Sequence, residues 1–552
     1  MESPPGTKKP ASSHSLGSSS IASPAGSAID LATAAVAIVL YAVWSYAFQY
    51  KGMFGETDLY RVAIGLLHGA RTGTDIAPAL HYGKAFSFGY IAALYWFLDR
   101  ATLAEPQTLL ALINSIGYWS ALAGCVLFWL MTRILYGLRT ATIALCLFAF
   151  SPLLLDLGTS GSQILPAFAL LMAGALSLCV RSRGAMRALL ACLGAVLLLA
   201  ALTVRAEVGL AFPFIATMRA DTRSFRSYAA GAACGAVAPA MACLAFGAIK
   251  HTFIDSQSGV DSLNSLLNIY VLIHQNIPAV ILVFPYACGV ATTLVAIAAI
   301  VWIVRHPAFV CPTPSPARAE WIQVLPALIL ILPSFAFWMM NPRPGRHFIL
   351  CLAGLSILVG LACEAYCAFP PLGKYAALAA VLLLNQGIAA ATESFMLRAI
   401  PSKLITPPGH VRLFPGGIYL GTAIAFHRET IREFSRAQEF AAQLRGSCDP
   451  KLAVITELRP QVFWSLYNPS ASWSNGRIGA FLYYRSDAPG RSYLVLSGRE
   501  GWPNDPVESV LNDPTLRDFK ILRDPETRSI YDRAAIPASR AARLGCTADV
   551  QH

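Results

Sequence analysis

Long apolar stretches separated by short polar ones fill the first two thirds of the chain. The first covers residues 28–50, and others follow at 108–132, 140–157, 163–180, 186–204, 206–218, 227–249, 278–304, 321–340, 347–368 and 374–391. A bilayer core about 30 Å thick takes roughly 20 apolar residues of helix to cross, and most of these runs have that length. Run 206–218 is short and is counted because its flanks demand a crossing. The pattern predicts an all-α polytopic membrane domain over residues 28–391, with about eleven transmembrane helices.

Residues 86–98 decide the topology. This stretch is apolar and aromatic, but a run of roughly 10–14 residues more often lies along a membrane surface than across it. If it does not cross, then Arg133, Arg139, Arg181, Arg183, Arg187, Arg219, Arg223, Arg226, Arg305 and Arg318 all fall on one side, as the enrichment of cytoplasmic loops in Lys and Arg requires. Residues 86–98 are therefore expected to form a surface helix. Segments 51–107, 250–277 and 341–346 are then extracytoplasmic, as is everything after the last helix.

Both ends of the chain read differently from the middle. Residues 1–27 are rich in Ser, Gly and Pro without hydrophobic periodicity, and predict a disordered tail held in the cytoplasm by Lys8 and Lys9. The run that follows is too long for a signal-peptide core and has no clear cleavage site, so it is expected to be retained. From Thr392 onward the composition changes: residues 392–552 carry half of all the charged side chains in less than a third of the chain. They predict a small soluble α/β domain. Ile431, Phe434, Ala441 and Leu444 share one face of a helix over 428–445, and β-prone runs follow at 452–456, 462–466, 478–484 and 493–496. Stretch 499–528, rich in Pro, Asp and Arg, is expected to be loop with short elements.

Composition narrows the class. The chain is 56% hydrophobic and 13% charged, with a mean hydropathy of +0.54. Soluble proteins carry roughly 25% charged residues, so a soluble enzyme, a disordered protein and a small disulfide scaffold are excluded. The net charge of +12 comes without any basic block interleaved with aromatics, so it predicts no nucleic-acid partner; the Lys and Arg residues lie mainly between apolar runs. Most of the 13 cysteines sit in or beside those runs as small hydrophobes. Cys448 and Cys546 lie in the polar tail, where an oxidising compartment would permit a disulfide.

Candidate chemistry begins just after the first helix, at Gly55-Glu56-Thr57-Asp58-Leu59-Tyr60-Arg61. Carboxylates at a membrane surface are expensive to bury and invite a functional reading beside that of a solvated loop. An amphipathic stretch, 59–69, a polar turn, 70–80, and the aromatic segment opened by His81-Tyr82-Gly83-Lys84 follow. Further on come Phe150-Ser151-Pro152 with Asp156 after it, Val204-Arg205-Ala206-Glu207, and Asn341-Pro342-Arg343 with Arg346 and His347. Arg205 with Glu207 also reads as a structural ion pair near a helix end, and Arg343 with Arg346 as lipid-headgroup contacts.

The order of a membrane helix, an acidic residue, a surface helix and an aromatic-rich second surface helix resembles the first extracytoplasmic loop of the GT-C superfamily of polyprenyl-phosphate-sugar-dependent glycosyltransferases. It is most similar to the bacterial members related to protein mannosyltransferases and aminoarabinose transferases. The Ser-Pro at a helix end, the Arg-x-Glu and the late Asn-Pro-Arg extend the resemblance over residues 28–368. It implies an inverting transfer of a sugar from a polyprenyl-phosphate donor to an extracytoplasmic acceptor (a glycolipid, polysaccharide or protein hydroxyl) at a bacterial inner membrane. By that resemblance Asp58 is the catalytic base, with Glu56 second or serving the acceptor or a divalent cation. Lys84, Tyr82, His81, Asp156, Arg205, Glu207, Arg343, Arg346 and His347 are the expected substrate-binding residues. Two oxygen ligands are too few to establish a metal site. A lipid-linked saccharide flippase and an O-antigen polymerase or ligase are the other many-span readings; buried ionisable residues at midplane would favour transport, and clustering at one face favours transfer.

Overall fold

The computed structural model describes residues 24–48, 88–99, 106–159, 162–180, 183–218, 287–305, 321–340, 348–366 and 369–399, together with strands between residues 453 and 522. The helices are α1 (Pro24–Ala47), α2 (Phe88–Phe97), α3 (Pro106–Tyr136), α4 (Leu138–Ala149), α5 (Pro152–Leu157), α6 (Ile164–Cys179) and α7 (Gly184–Val204). A 3-10 turn, Ala206–Ala211, leads into α8 (Phe212–Met218), and α9 (Val290–Arg305), α10 (Trp321–Met340), α11 (Ile349–Tyr366) and α12 (Pro371–Ala399) follow.

Among the described residues, α1, α3 and α7 are each long and apolar enough to cross a membrane. Their outward faces agree with that setting. Val36, Val39 and Val43 on α1 and Leu189, Leu193 and Val196 on α7 are exposed at helical spacing. Such rows are out of place against water and suit lipid. Helix α2 has 10 residues, about 15 Å of helix and half of what a crossing needs.

Several expected runs are divided. Run 140–157 ends at Ala149, and α5 starts afresh after Ser151. Ser151 caps α5: its Oγ accepts the amide of Leu154 at 3.2 Å, with Pro152 in the first helical position. Run 206–218 is no single α-helix, because its first half is the 3-10 turn. Within run 278–304 the chain turns at Gly289 (φ +89°), and α9 begins there. The amides of Ala291 and Thr292 are received by Asn385 Oδ1 of α12 at 2.7 and 3.2 Å, so a side chain from another helix caps this buried helix start. A Cβ on Gly289 would lie 2.5 Å from that amide. Helix α12 continues to Ala399, so the composition change at Thr392 falls inside a helix.

The core is built where helices approach closely. Phe148 of α4 lies between Phe128 of α3 and Phe168 of α6, with ring centroids 4.7 and 5.2 Å apart. Helices α6 and α7 meet at two glycines: a Cβ on either Gly174 or Gly194 would stand 3.1 Å from the other's carbonyl oxygen. Small residues at such crossings let backbones touch where lipid supplies no hydrophobic drive. Helix α1 runs parallel to α4, because Thr142 near the start of α4 donates to Asp30 O while Tyr41 reaches Leu154 beyond its end. Helix α11 runs the other way, with Gly360 against Thr140 and Ala144.

In the C-terminal third the strands β1 (Ala453–Glu457), β2 (Ala471–Asn475), β3 (Phe481–Ser486), β4 (Ser492–Val495) and β5 (Phe519–Leu522) form one mixed sheet in the order β2-β3-β1-β4-β5. The β2–β3 and β3–β1 pairs are antiparallel; the β1–β4 and β4–β5 pairs are parallel. Three of the β-prone runs overlap β1, β3 and β4. The run at 462–466, the helix at 428–445, Cys448 and Cys546 lie outside the described residues.

Candidate functional site

Several described elements that flank the candidate residues in sequence come to one end of the helix array. The last turns of α1 are tied to α5: Tyr41 donates from its hydroxyl to Leu154 O at 3.2 Å, and Trp44 donates from Nε1 to Leu155 O at 3.3 Å. Gly158 closes this junction, since a Cβ there would sit 2.2 Å from the Tyr41 hydroxyl. Asp156 is on α5, within the same turn of helix. In sequence, Glu56 and Asp58 follow α1.

Helix α2 starts at the same end. A Cβ on Gly89 would lie 2.0 Å from Thr203 Oγ1, so α2 is seated against the last turn of α7 at a point where only glycine fits. Two residues beyond Thr203, α7 stops and Arg205 takes an extended conformation (φ −151°, ψ 114°), which turns the chain into the 3-10 segment. Arg205 Nε stands 3.5 Å from Glu207 Oε1, and both side chains are almost entirely buried. The spacing i, i+2 does not align two side chains on an α-helix; the extended backbone at Arg205 is what brings them together. The 3-10 turn packs on α10 and on α6. Helix α10 ends and α11 begins at this same end.

The start of α6 adds a residue that the sequence did not mark. Gln163 precedes the first helical turn and is completely buried. Its side chain makes no capping bond, and neither its Oε1 nor its Nε2 has a hydrogen-bond partner. It stands at the polar edge of an apolar run, where only its burial distinguishes it from a solvated helix cap.

Of the expected site residues the structure therefore places Arg205 and Glu207 as a buried pair and Asp156 on α5. Glu56, Asp58, His81, Tyr82, Lys84, Arg343, Arg346 and His347 lie outside the described residues. Among the described residues no group of three or more His, Cys, Asp or Glu side chains comes together as metal ligands would.

No protein-family model matches the sequence, and no curated protein matches it. Solved structures show a likeness. The chain is similar to ArnT from Cupriavidus metallidurans in the apo state at 15% identity and a TM-score of 0.43, over 79% of this chain and 84% of that one. It is similar to the same protein bound to undecaprenyl phosphate at 14% identity and a TM-score of 0.43, over 80% of this chain and 84% of that one. It is also similar to the archaeal oligosaccharyltransferase AglB from Archaeoglobus fulgidus, in complex with an inhibitory peptide and a dolichol-phosphate, at 11% identity and a TM-score of 0.40, over 74% of this chain and 58% of that one.

Proposed function

We propose that the protein is an integral-membrane, inverting glycosyltransferase of GT-C type that moves a sugar from a polyprenyl-phosphate donor to an extracytoplasmic hydroxyl acceptor. The acceptor oxygen attacks the anomeric carbon, and the bond from that carbon to the phosphate oxygen breaks with its electron pair going to the phosphate. Asp58 takes the acceptor's proton. The phosphate is a good leaving group, so no general acid is required; its charge is met by Arg343 or Arg346, whose planar donors suit phosphate oxygens. Lys84 precedes α2 in sequence, and Arg205 stands two residues after Thr203, against which α2 is seated.

The observation that supports this reading is that the end of α1, α5, the start of α2, the Arg205–Glu207 turn, the end of α10 and the start of α11 all lie at one end of the helices. The described buried charged side chains, Asp30, Lys374 and Arg205, all lie within two turns of a helix end. That distribution favours transfer at a surface over transport through a midplane site.

The reading includes about eleven spans in a bacterial inner membrane, a cytoplasmic N-terminal tail at 1–27, and an extracytoplasmic α/β domain at 392–552 to which the mixed sheet belongs. A purified sample in lipid nanodiscs should move labelled sugar from at least one polyprenyl-phosphate sugar (mannose, glucose or arabinose) to an extract of cell-envelope glycolipid and polysaccharide. No transfer from any of these donors to any fraction would reject the reading.

A further inference from the structure

We infer that the helix break at Gly289, ahead of α9, exists only while α12 holds it, and that Asn385 is the latch. The position of α12 then selects between a broken and a continuous helix. Asn385 Oδ1 accepts from the amides of Ala291 at 2.7 Å and Thr292 at 3.2 Å, and its Nδ2 donates to Thr292 Oγ1 at 2.7 Å. Ala287, Cys288, Thr292 and Asn385 are all buried. Residues 287 and 288 are helical, so helix runs up to the break and resumes past it.

The break lies deep among the helices. Asn385 stands 11 residues beyond Lys374, which bonds the carbonyls of Cys363 and Glu364 near the end of α11. That is about 16 Å along α12, near the middle of a membrane core about 30 Å thick. No water is present at that depth to receive an amide, so the protein must. The amides of Ala291 and Thr292 have two alternatives. One is Asn385. The other is the pair of carbonyls four residues back, on Ala287 and Cys288, which would receive them if the helix ran on through Gly289. Thr293 already bonds in this way, to Gly289 O at 2.8 Å. Nothing local forces the break: residues 287–293 contain no proline, and glycine is tolerated within a helix. The broken state instead requires a positive φ at Gly289 (+89°) and an acceptor brought from α12.

Helix α12 is suited to act as the latch. Its buried side chains among the described residues are Lys374, Tyr375 and Asn385, each hydrogen-bonded to another helix, whereas Leu372, Leu383 and Leu384 are exposed. Hydrogen bonds hold it more than apolar burial does, and lipid gives helices no hydrophobic drive to associate. In sequence α12 leads into the C-terminal third, so a displacement there would reach α9 through Asn385.

The test is a substitution cycle in the full chain in lipid nanodiscs, read as melting temperature, and it does not depend on the transferase reading. In the broken state an alanine at position 289 meets both the positive φ and the Asn385 amide, 2.5 Å from the added Cβ. In a continuous helix alanine is better than glycine. Gly289→Ala should therefore lower the melting temperature of the wild type and raise that of Asn385→Ala. Relief of crowding alone cannot produce this reversal, because a persisting break would still penalise alanine at positive φ. Asn385→Ala itself should fold with a lowered melting temperature, since Ala291 and Thr292 have carbonyls to turn to. If Gly289→Ala does not raise the melting temperature of Asn385→Ala, the break is a fixed feature and the inference is overturned. It is equally overturned if Asn385→Ala fails to fold both alone and together with Gly289→Ala.

Discussion

At one end of the helix array the polar groups are spent on each other. Asp30 of α1, 1% exposed, accepts from the Tyr375 hydroxyl of α12 at 2.5 Å and lies 3.4 Å from Arg139 Nε of α4. Arg139 reaches on to Glu364 of α11 at 3.3 Å, and Lys374 Nζ donates to the carbonyls of Cys363 and Glu364. Four helices are tied by one chain of contacts, and the last carbonyls of α11 receive a cation, as helix C-termini favour. At the opposite end, Arg205 and Glu207 form a local pair within one turn, and Gln163 has no protein partner. The first arrangement is what stability alone produces. The second leaves the buried Gln163 amide unspent, which is how it differs from a clamp.

If that contrast is right, substitutions at the second end should change kinetics and those at the first should change stability. The largest effect is expected at Asp58. Asp58→Asn keeps size and hydrogen bonding but cannot take a proton, and loss of a general base costs about 10²–10⁴ in rate. Single-turnover transfer at saturating donor measures it, and melting should be unchanged. Glu56→Gln should lose less. Full activity in Asp58→Asn with a dead Glu56→Gln exchanges the two roles; full activity in both removes this segment from the chemistry.

Next in size is Arg205→Leu. It strands the buried Glu207 carboxylate, and breaking a buried pair typically costs about 3–5 kcal/mol. Denaturation in mixed micelles should show that loss, and Arg205→Leu with Glu207→Leu together should recover most of it. Recovery of stability without recovery of transfer would place the pair in the site. Recovery of both would make it a structural pair, and the contrast between the two ends would weaken.

The reasons some of this was legible in sequence are physical. Apolar runs of bilayer length mark helices whatever they pack against, so α3, α6, α7, α10 and α11 fall within three or four residues of the expected runs at each end. Ser151-Pro152 reads in sequence as a helix end, and α4 does end at Ala149, but the same pair also starts α5, with Ser151 as its cap. The break at Gly289 is hidden, because the residue that satisfies its amides, Asn385, stands 94 positions away. The tie at Asp30 is hidden for the same reason: Arg139 and Tyr375 are 109 and 345 positions away. The Arg205–Glu207 pair was visible because both partners are local. Gln163 was not, since burial of a polar residue at the edge of an apolar run leaves no pattern.

At the tied end the main test is Asp30→Asn. The amide can still accept from Tyr375, but Arg139 loses its buried counter-charge and keeps only Glu364. A hydrogen bond to a charged group is worth about 1.5–3 kcal/mol, and stability should fall by that much. Transfer per folded molecule should not change; a tenfold fall at constant folded fraction would mean that this end also serves the reaction. Smaller again is the effect of Arg343→Ala or Arg346→Ala: whichever grips the phosphate should raise the donor requirement roughly tenfold, read as KM at constant kcat. Normal kinetics at limiting donor in both would put the phosphate elsewhere.

The smallest effect is expected at Glu364, and it sharpens what the tied end is for. Its side chain is 41% exposed, and its carboxylate faces Arg139 at 3.3 Å and Lys374 at 3.8 Å. Two cations beside one carboxylate suggest a strong contribution, but exposed ion pairs are screened by solvent and contribute about 0–1 kcal/mol. Lys374 does not depend on it, because Nζ also donates to two backbone carbonyls. Glu364→Gln should therefore shift stability by less than about 1 kcal/mol, and any shift should shrink further in high salt. A loss as large as that of Asp30→Asn would show that Arg139 is held chiefly from α11, and that the tie runs through the exposed carboxylate rather than the buried one.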